Sequence, residues 1–322
     1  MGPEGLSGGW QAHSFESSAL EGNPLGDPAT RPLYVWTPQG DGPYPTVYVL
    51  QGFTGTAPAW FNVRAWESSF PQVVDELAPG AIVVLVDAFT AIGGSQFLDS
   101  TAIGDYHTYL CDEIVPWVEA RLPSNGSRAV AGKSSGGFGA MVTAMLRPDL
   151  FAGFATHAGD ALFEISYRRE FVEAARALRD DYDGSFERFL TDFRSRRPLS
   201  KKTDHVLINT WAMSAAYSAG ELPFDVETAE VKEDVFARWL DWDPVRMAVT
   251  RAEALRGMRA IWVDAGRNDE FFLDFGAVAF RRALATAGVP DEVVRFELHE
   301  GGHFDTAWRY PLALSYLVER LM

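Results

Sequence analysis

The sequence is poor in three things, and each narrows what the chain can be. It holds a single cysteine, Cys111, among 322 residues, which excludes an intrachain disulfide and any cysteine-rich metal site. Cys111 sits in the helical-looking run DYHTYLCDEIVPWVEARL and reads as a small buried hydrophobe. Cations are scarce as well: 28 Lys and Arg against 44 Asp and Glu give a formal charge of −16. Nucleic acid demands a basic footprint, so neither nucleic acid nor an anionic membrane surface is an expected partner. Long apolar runs are missing too. No segment approaches the roughly 18 uncharged apolar residues of a membrane span. The start, MGPEGLSGGWQAHSF, lacks the basic-then-apolar pattern of a signal peptide, so a cytoplasmic location is expected. Core material is abundant, with 47% hydrophobic and 13% aromatic residues. That suits one large domain over residues 1–322 carrying an insertion. Homo-oligomerisation is left open.

Short apolar runs alternate with longer amphipathic stretches, the pattern of a mostly parallel sheet covered by helices. RPLYVWTP (31–38), TVYVLQGF (46–53), AIVVLVDA (81–88), SRAVAGKS (127–134), FAGFATHAG (151–159), MRAIWVDAG (258–266) and EVVRFELHE (292–300) read as strands. Helices are expected near 60–78, 105–121, 136–147, 274–287 and 305–321. Residues 160–250 break the rhythm: they are helical, charged and aromatic, with no Pro/Gly/Ser linker at either side. They read as a helical cap inserted between two strands.

HEGGH (299–303) matches a zinc-protease signature letter for letter. Zinc binding needs that motif on a helix, where positions i and i+4 share a face. Gly301 and Gly302 each cost about 1 kcal/mol in a helix interior, and the preceding VVRFEL is β-branched and alternating. The better reading ends a strand near Glu300 and presents His303 on a loop beyond the strand's carboxyl end, where α/β sheets keep their ligands.

Such a histidine needs a nucleophile. Gly132-Lys133-Ser134-Ser135-Gly136 fits G-x-S-x-G between a predicted strand and a predicted helix, the setting of a nucleophile elbow. Two competing motifs fit poorly. AGKS lacks the P-loop glycine, since Ser127 stands there, and GGFGAM has the wrong spacing for a dinucleotide fold. Flanking glycines single out Ser134 as nucleophile and leave the backbone N–H of Ser135 as an oxyanion donor. The second donor is expected from LQGFTGT, at the N–H of Phe53. VDAGRNDEFF offers Asp264, Asp269 and Glu270 as the acid. Asp264 ends the strand and reads as structural, whereas Asp269, in the loop beyond, is placed to orient His303. No metal or organic cofactor is called for.

VYVLQGFTG, GDYHTYLCDEIVPWVEARLP, AGKSSGGFGAM, VDAGRNDEFFL and HEGGHFDTAWRYPLAL, taken in order, resemble the esterase D-type branch of the α/β-hydrolases. That branch includes S-formylglutathione hydrolases, feruloyl and acetyl-xylan esterases, enterochelin esterases and mycolyltransferases. The resemblance implies the α/β-hydrolase fold. It also implies a serine carboxylic ester hydrolase working through an acyl-enzyme, with Ser134, His303 and Asp269 as triad and Phe53 and Ser135 at the oxyanion hole. The expected partner is a small-molecule acyl or aryl ester. An acyltransferase using the same triad and a non-catalytic binding protein are the alternatives. Two departures alter the pocket edge: Gln51 stands where the family commonly has His or Asp, and Ser135 where it has an apolar residue. Gln51, His157, Trp211 and Tyr217 are candidate pocket residues, and His157 equally fits a hydrogen-bonded core histidine. Phe163, Tyr167, Trp211, Tyr217, Trp239 and Trp242 read mostly as the core of the cap.

Overall fold

The computed structural model describes residues 9–63, 65–304 and 306–322. Residues 1–8, Arg64 (in the helix expected over 60–78) and Asp305 (at the head of the one over 305–321) lie outside the described residues.

Eight strands form one sheet: β1 (Trp10–Glu16), β2 (Thr30–Trp36), β3 (Tyr44–Leu50), β4 (Ile82–Val86), β5 (Ser124–Lys133), β6 (Gly153–His157), β7 (Ala260–Gly266) and β8 (Val294–His299). Their order across the sheet is β1-β2-β4-β3-β5-β6-β7-β8. β2 runs antiparallel to both neighbours, and every pairing from β4 to β8 is parallel. Parallel strands are buried on both faces, which is why IVVLV of β4 shows no alternation in polarity and none in exposure.

The alternation appears instead in which core each residue joins. Tyr48, Leu50, Val84, Val130, Phe154 and Ile261 belong to one apolar cluster, and Val47, Val49, Val83, Ala129, Ala155 and Trp262 to the other. Covering the second face are α1 (Phe70–Leu77) and, at the chain's end, the helix Arg309–Leu321. On the first face lie α2 (residues 106–121, with a wide π turn over Tyr109–Ile114) and α3 (Ser135–Leu146). Cys111 is buried there, and burial pushes its thiol up to about 12.

Helices fill the connection from β6 to β7, where the sequence points to an insertion: α4 (Phe171–Tyr182), α5 (Phe186–Ser195), α6 (Asp204–Ser218), α7 (Glu233–Leu240) and α8 (Pro244–Thr250). An isolated bridge joins Phe224 to Val231. Phe163, Tyr167, Tyr217 and Trp239 interlock at ring separations of 4.7–6.0 Å. Phe138 of α3 meets Phe163 and Tyr217, so the inserted helices share the core of the sheet's first face. α9 (Leu273–Thr286) and α10 (Arg309–Leu321) complete the chain.

Three expectations needed correction. WQAHSFE is a strand, although its polar residues hid it; as the outermost strand it pairs on one side only. The helix expected over 60–78 is a 3-10 turn, Ala57–Phe61, followed by α1, whose start is set by Ser69 and Pro71 with Gln72 closing a capping box. The final helix begins at Arg309 rather than 305. No helix among the described residues is long and apolar enough to cross a membrane.

Register brings the carboxyl ends of the central strands to one edge: Leu50 opposes Gly132, Lys133 opposes His157, His157 opposes Asp264 and Gly266 opposes His299. Beneath this edge Asp264 is buried and accepts from His157 Nδ1 (2.8 Å), Trp262 Nε1 (2.7 Å) and Arg309 Nε (2.7 Å). Burial alone would raise the Asp264 carboxyl; His157 and these donors outweigh it and hold it at about 2. Asp264→Ala leaves the Arg309 guanidinium buried beside a hole, so a loss of about 3–5 kcal/mol is expected in urea unfolding. In the native protein this group's contribution is present above the ordinary carboxylate range and disappears as pH falls through about 2.

Candidate active site

The strand β5 turns straight into α3 at Ser134. Its φ of 56° and ψ of −126° fall where a side-chain-bearing residue is strained, at a cost on the order of 1–3 kcal/mol. The strain is held by packing. A Cβ on Gly132 would lie 2.3 Å from Gly136 O, and one on Gly136 would lie 2.2 Å from Leu50 O. Only glycine lets the turn close against β3. The Ser134 N–H donates to His157 O at 3.0 Å, and its carbonyl accepts from Phe138 N at 2.8 Å. Ser135, the first residue of α3, has no residue four back within the helix to accept its N–H.

Two residues past β3, Gly52 backs onto this turn: a Cβ there would stand 3.5 Å from Ser134 Cβ. The loop is held by Thr54 N donating to Gly93 O at 2.8 Å. Gln51 is buried, with its amide oxygen placed to accept from Ala88 N at 2.6 Å; this orientation is assigned from the bonding pattern. It ties the loop to the end of β4. Gln51, Gly52, Phe53, Gly93, Gln96 and Ser135 line a narrow recess with room for about one water molecule.

The segment HEGGH is the end of β8 and a turn, with Gly301 at a φ of 127°. This is not the helix a zinc motif requires. His299 turns its Nδ1 to the carbonyl of Glu300 (3.1 Å) and its ring to Trp308. His303 is buried, and its Nδ1 lies 2.8 Å from Asp269 Oδ2. A carboxylate only accepts, so Nδ1 carries a proton, and in the neutral ring the basic nitrogen is Nε2. Asp269 is fixed in turn by Phe271 N (2.9 Å) and Leu273 N (3.3 Å) on Oδ1. Glu270 accepts the His303 N–H at 2.6 Å. The three acidic candidates of VDAGRNDEFF thus divide into a buried anchor, an orienting partner and a backbone clamp.

Among the described residues no hydrogen bond joins the Ser134 hydroxyl to the His303 ring, and such bonds commonly tighten only with substrate. Their chain neighbours do touch. Lys133 Nζ stands 5.6 Å from the centroid of the Phe304 ring, so the residue before the serine meets the residue after the histidine.

Of the candidate pocket residues, Gln51 borders the recess. His157 is corrected to a core histidine: it is 1% exposed, bonded to Asp264 and packed on Tyr310 at 4.6 Å. Trp211 packs on Phe186 within the inserted helices. Tyr217 is buried and accepts from Gln96 Nε2 at 2.7 Å.

The family model described as "Putative esterase" matches residues 28–314. The chain belongs to that family. It is a carboxylic ester hydrolase on an α/β-hydrolase fold. No curated protein matches the sequence. Among solved structures, the esterase is similar to a ferulic acid esterase (20% identity, 97% of this chain and 98% of that one, TM-score 0.61). It is also similar to an S-formylglutathione hydrolase from Agrobacterium tumefaciens (15%, 98% and 98%, 0.60). A fluorophosphonate-binding serine hydrolase of Staphylococcus aureus is a third neighbour (15%, 97% and 99%, 0.59).

Two residues near this esterase's site carry no sequence signal. His205, at the start of α6, stacks on Phe271 (5.5 Å) and meets Phe53 edge-on (6.5 Å), although 205 stood in no motif. Asp160 is buried just beyond β6 and reaches Ser135 Oγ at 3.3 Å. A lone acidic residue at a strand end says nothing of this until the fold is known. Gly136→Ala is expected to destabilise the esterase by about 3 kcal/mol or more, because the clash is with backbone that cannot yield. A Tm unchanged within a degree would contradict the nesting of the elbow against β3.

Proposed function

We propose that the esterase works through Ser134, His303 and Asp269 by way of an acyl-enzyme, on small acyl or aryl esters. The observation that carries this reading is the 2.8 Å His303–Asp269 pair, delivered to the sheet edge where Ser134 sits strained on its elbow. Ser134 Oγ attacks the acyl carbon while His303 Nε2 takes its proton, and Asp269 keeps the imidazole in the required tautomer. The oxyanion is met by the N–H groups of Phe53 and Ser135, each worth on the order of 3 kcal/mol in the transition state. The imidazolium returns its proton to the departing alkoxide. Water then enters, gives a proton to His303 Nε2 and attacks the acyl carbon; the acyl–Oγ bond breaks, Ser134 Oγ takes that proton back from the imidazolium, and the acid leaves.

The recess beside Phe53 and Ser135 is too narrow for a chain, which favours a small acyl group. The rings of Phe53, His205, Phe271 and Phe304 around the histidine support an aryl group on the other side of the ester. The inserted helices supply His205 and so act as a cap over this mouth.

Ser134→Ala is expected to abolish hydrolysis of p-nitrophenyl acetate, with kcat falling by about 10⁴-fold or more, while circular dichroism stays native. A fluorophosphonate should label the wild type once, on Ser134; turnover by the alanine variant at the wild-type rate would refute the assignment. Asp269→Ala should lower kcat by a similar factor, about 10⁴-fold, with little change in KM. Treatment with a chelator is expected to leave turnover unchanged, and loss restored by zinc would reopen the HEGGH motif as a metal site.

A further inference from the structure

Behind the elbow, three separate stretches of chain send polar groups to one buried carboxyl. Asp160 Oδ2 accepts from Tyr167 Oη (2.8 Å), Gln96 Nε2 (3.3 Å) and Ser135 Oγ (3.3 Å). Gln96 Nε2 also donates to Tyr217 Oη (2.7 Å), which lies 3.4 Å from Tyr167 Oη. Gln96, Ser135, Tyr167 and Tyr217 are all buried. Gln96 and Phe97 hold consecutive left-handed backbone angles, φ of 54° and 55°. Two strained residues in a row persist only where the surroundings over-determine them. The loop that carries them also lines the recess at Phe53 and Ser135.

We propose that Asp160 is a positioning residue of the oxyanion hole, locking the first turn of α3 through Ser135 and the recess wall through Gln96 onto Tyr167 and Tyr217 of the inserted helices. The claim rests on the hydrolase reading above and adds to it a cap-to-elbow coupling. It accounts for the serine at position 135, where the resembling family commonly has an apolar side chain: Ser135 Oγ is one of the carboxyl's hydrogen-bond donors. Gln96 Oε1 finds no partner among the described residues, so its amide is held through Nε2 alone.

The carboxyl's charge matters to the chemistry. Burial raises it above the ordinary carboxylate range, opposed by the hydrogen bonds from Tyr167 and Gln96 and by His303. The titratable groups that bear on it are Tyr167, Tyr217, His303 and Glu170. As a neutral acid it places no charge beside the elbow. Once ionised, it sets a negative charge behind the place where the oxyanion forms, and the transition state loses stabilisation. The sign follows directly: the acid form is favoured at lower pH, and activity falls as pH rises through the carboxyl's folded value.

The test compares Asp160→Asn, Asp160→Leu, Ser135→Ala and the double variant Ser135→Ala/Asp160→Leu with the wild type, using p-nitrophenyl acetate from pH 4 to 9. Asp160→Leu is expected to lower kcat by about tenfold or more with KM changed by less than about threefold, the split expected of a transition-state defect. Asp160→Asn keeps the shape and cannot ionise, so it should recover most of that loss. The ratio of its kcat to the wild-type value should rise with pH. The double variant should be no worse than Asp160→Leu alone.

A flat ratio across pH, or an asparagine variant as impaired as the leucine one, overturns the proposal. Where Asp160→Leu does not fold, the pH ratio for Asp160→Asn and a kcat loss in Ser135→Ala decide it alone. Fluorophosphonate labelling separates the two levels: a wild type left unlabelled at Ser134 refutes the hydrolase reading itself, and a labelled one with a flat ratio refutes only the role of Asp160.

Discussion

Everything about the site depends on how closely α3 approaches β3. The elbow can place Ser134 at the sheet's edge only because Gly132 and Gly136 let two backbones pass at distances no Cβ tolerates. This contact sets the strained φ at Ser134, turns the first N–H groups of α3 toward the loop after β3, and brings Gly52 against the serine. A helix shifted outward by one methyl group would relax the turn and scatter those groups together.

Strand register does the rest. Because the carboxyl ends of β3, β5, β6, β7 and β8 finish within three residues of one another in register, a loop a few residues long after each is enough to reach the same spot. Asp160, Asp269 and His303 follow their strands by three, three and four residues. The sheet is therefore the ruler, and the site is made of what happens to follow it. Under the same edge, Asp264 with His157, Trp262 and Arg309 forms a second carboxylate–imidazole pair. Sealed in the core and neutralised by Arg309, it secures α10 to the sheet and takes no part in the chemistry proposed here.

Much of this was legible in the residue order. Glycine spacing around Ser134, the glycine pair inside HEGGH and the position of Asp269 beyond its strand each express a local backbone requirement, and local requirements show in a short window. The strand β1 was not legible, since an edge strand with one covered side tolerates Gln11, His13 and Ser14. Neither was the break between the 3-10 turn and α1, where the capping residues Ser69 and Gln72 mark the true start. His205 and Asp160 stayed hidden for another reason: their roles come from neighbours 66 and 25 residues away in the chain, Phe271 and Ser135. His157 misled because a strand-end histidine looks the same whether it faces a cleft or a buried aspartate.

One asymmetry of the sheet bears on how such a molecule can change over time. The serine emerges from β5, with neighbours on both sides, whereas the histidine follows β8, the outermost strand, bonded on one side only. Insertions after the outer strand disturb little else, so His303 can be re-sited or re-oriented while the inner turn stays fixed. Change at this flank, or in the helices between β6 and β7, therefore leaves the geometry of the elbow intact.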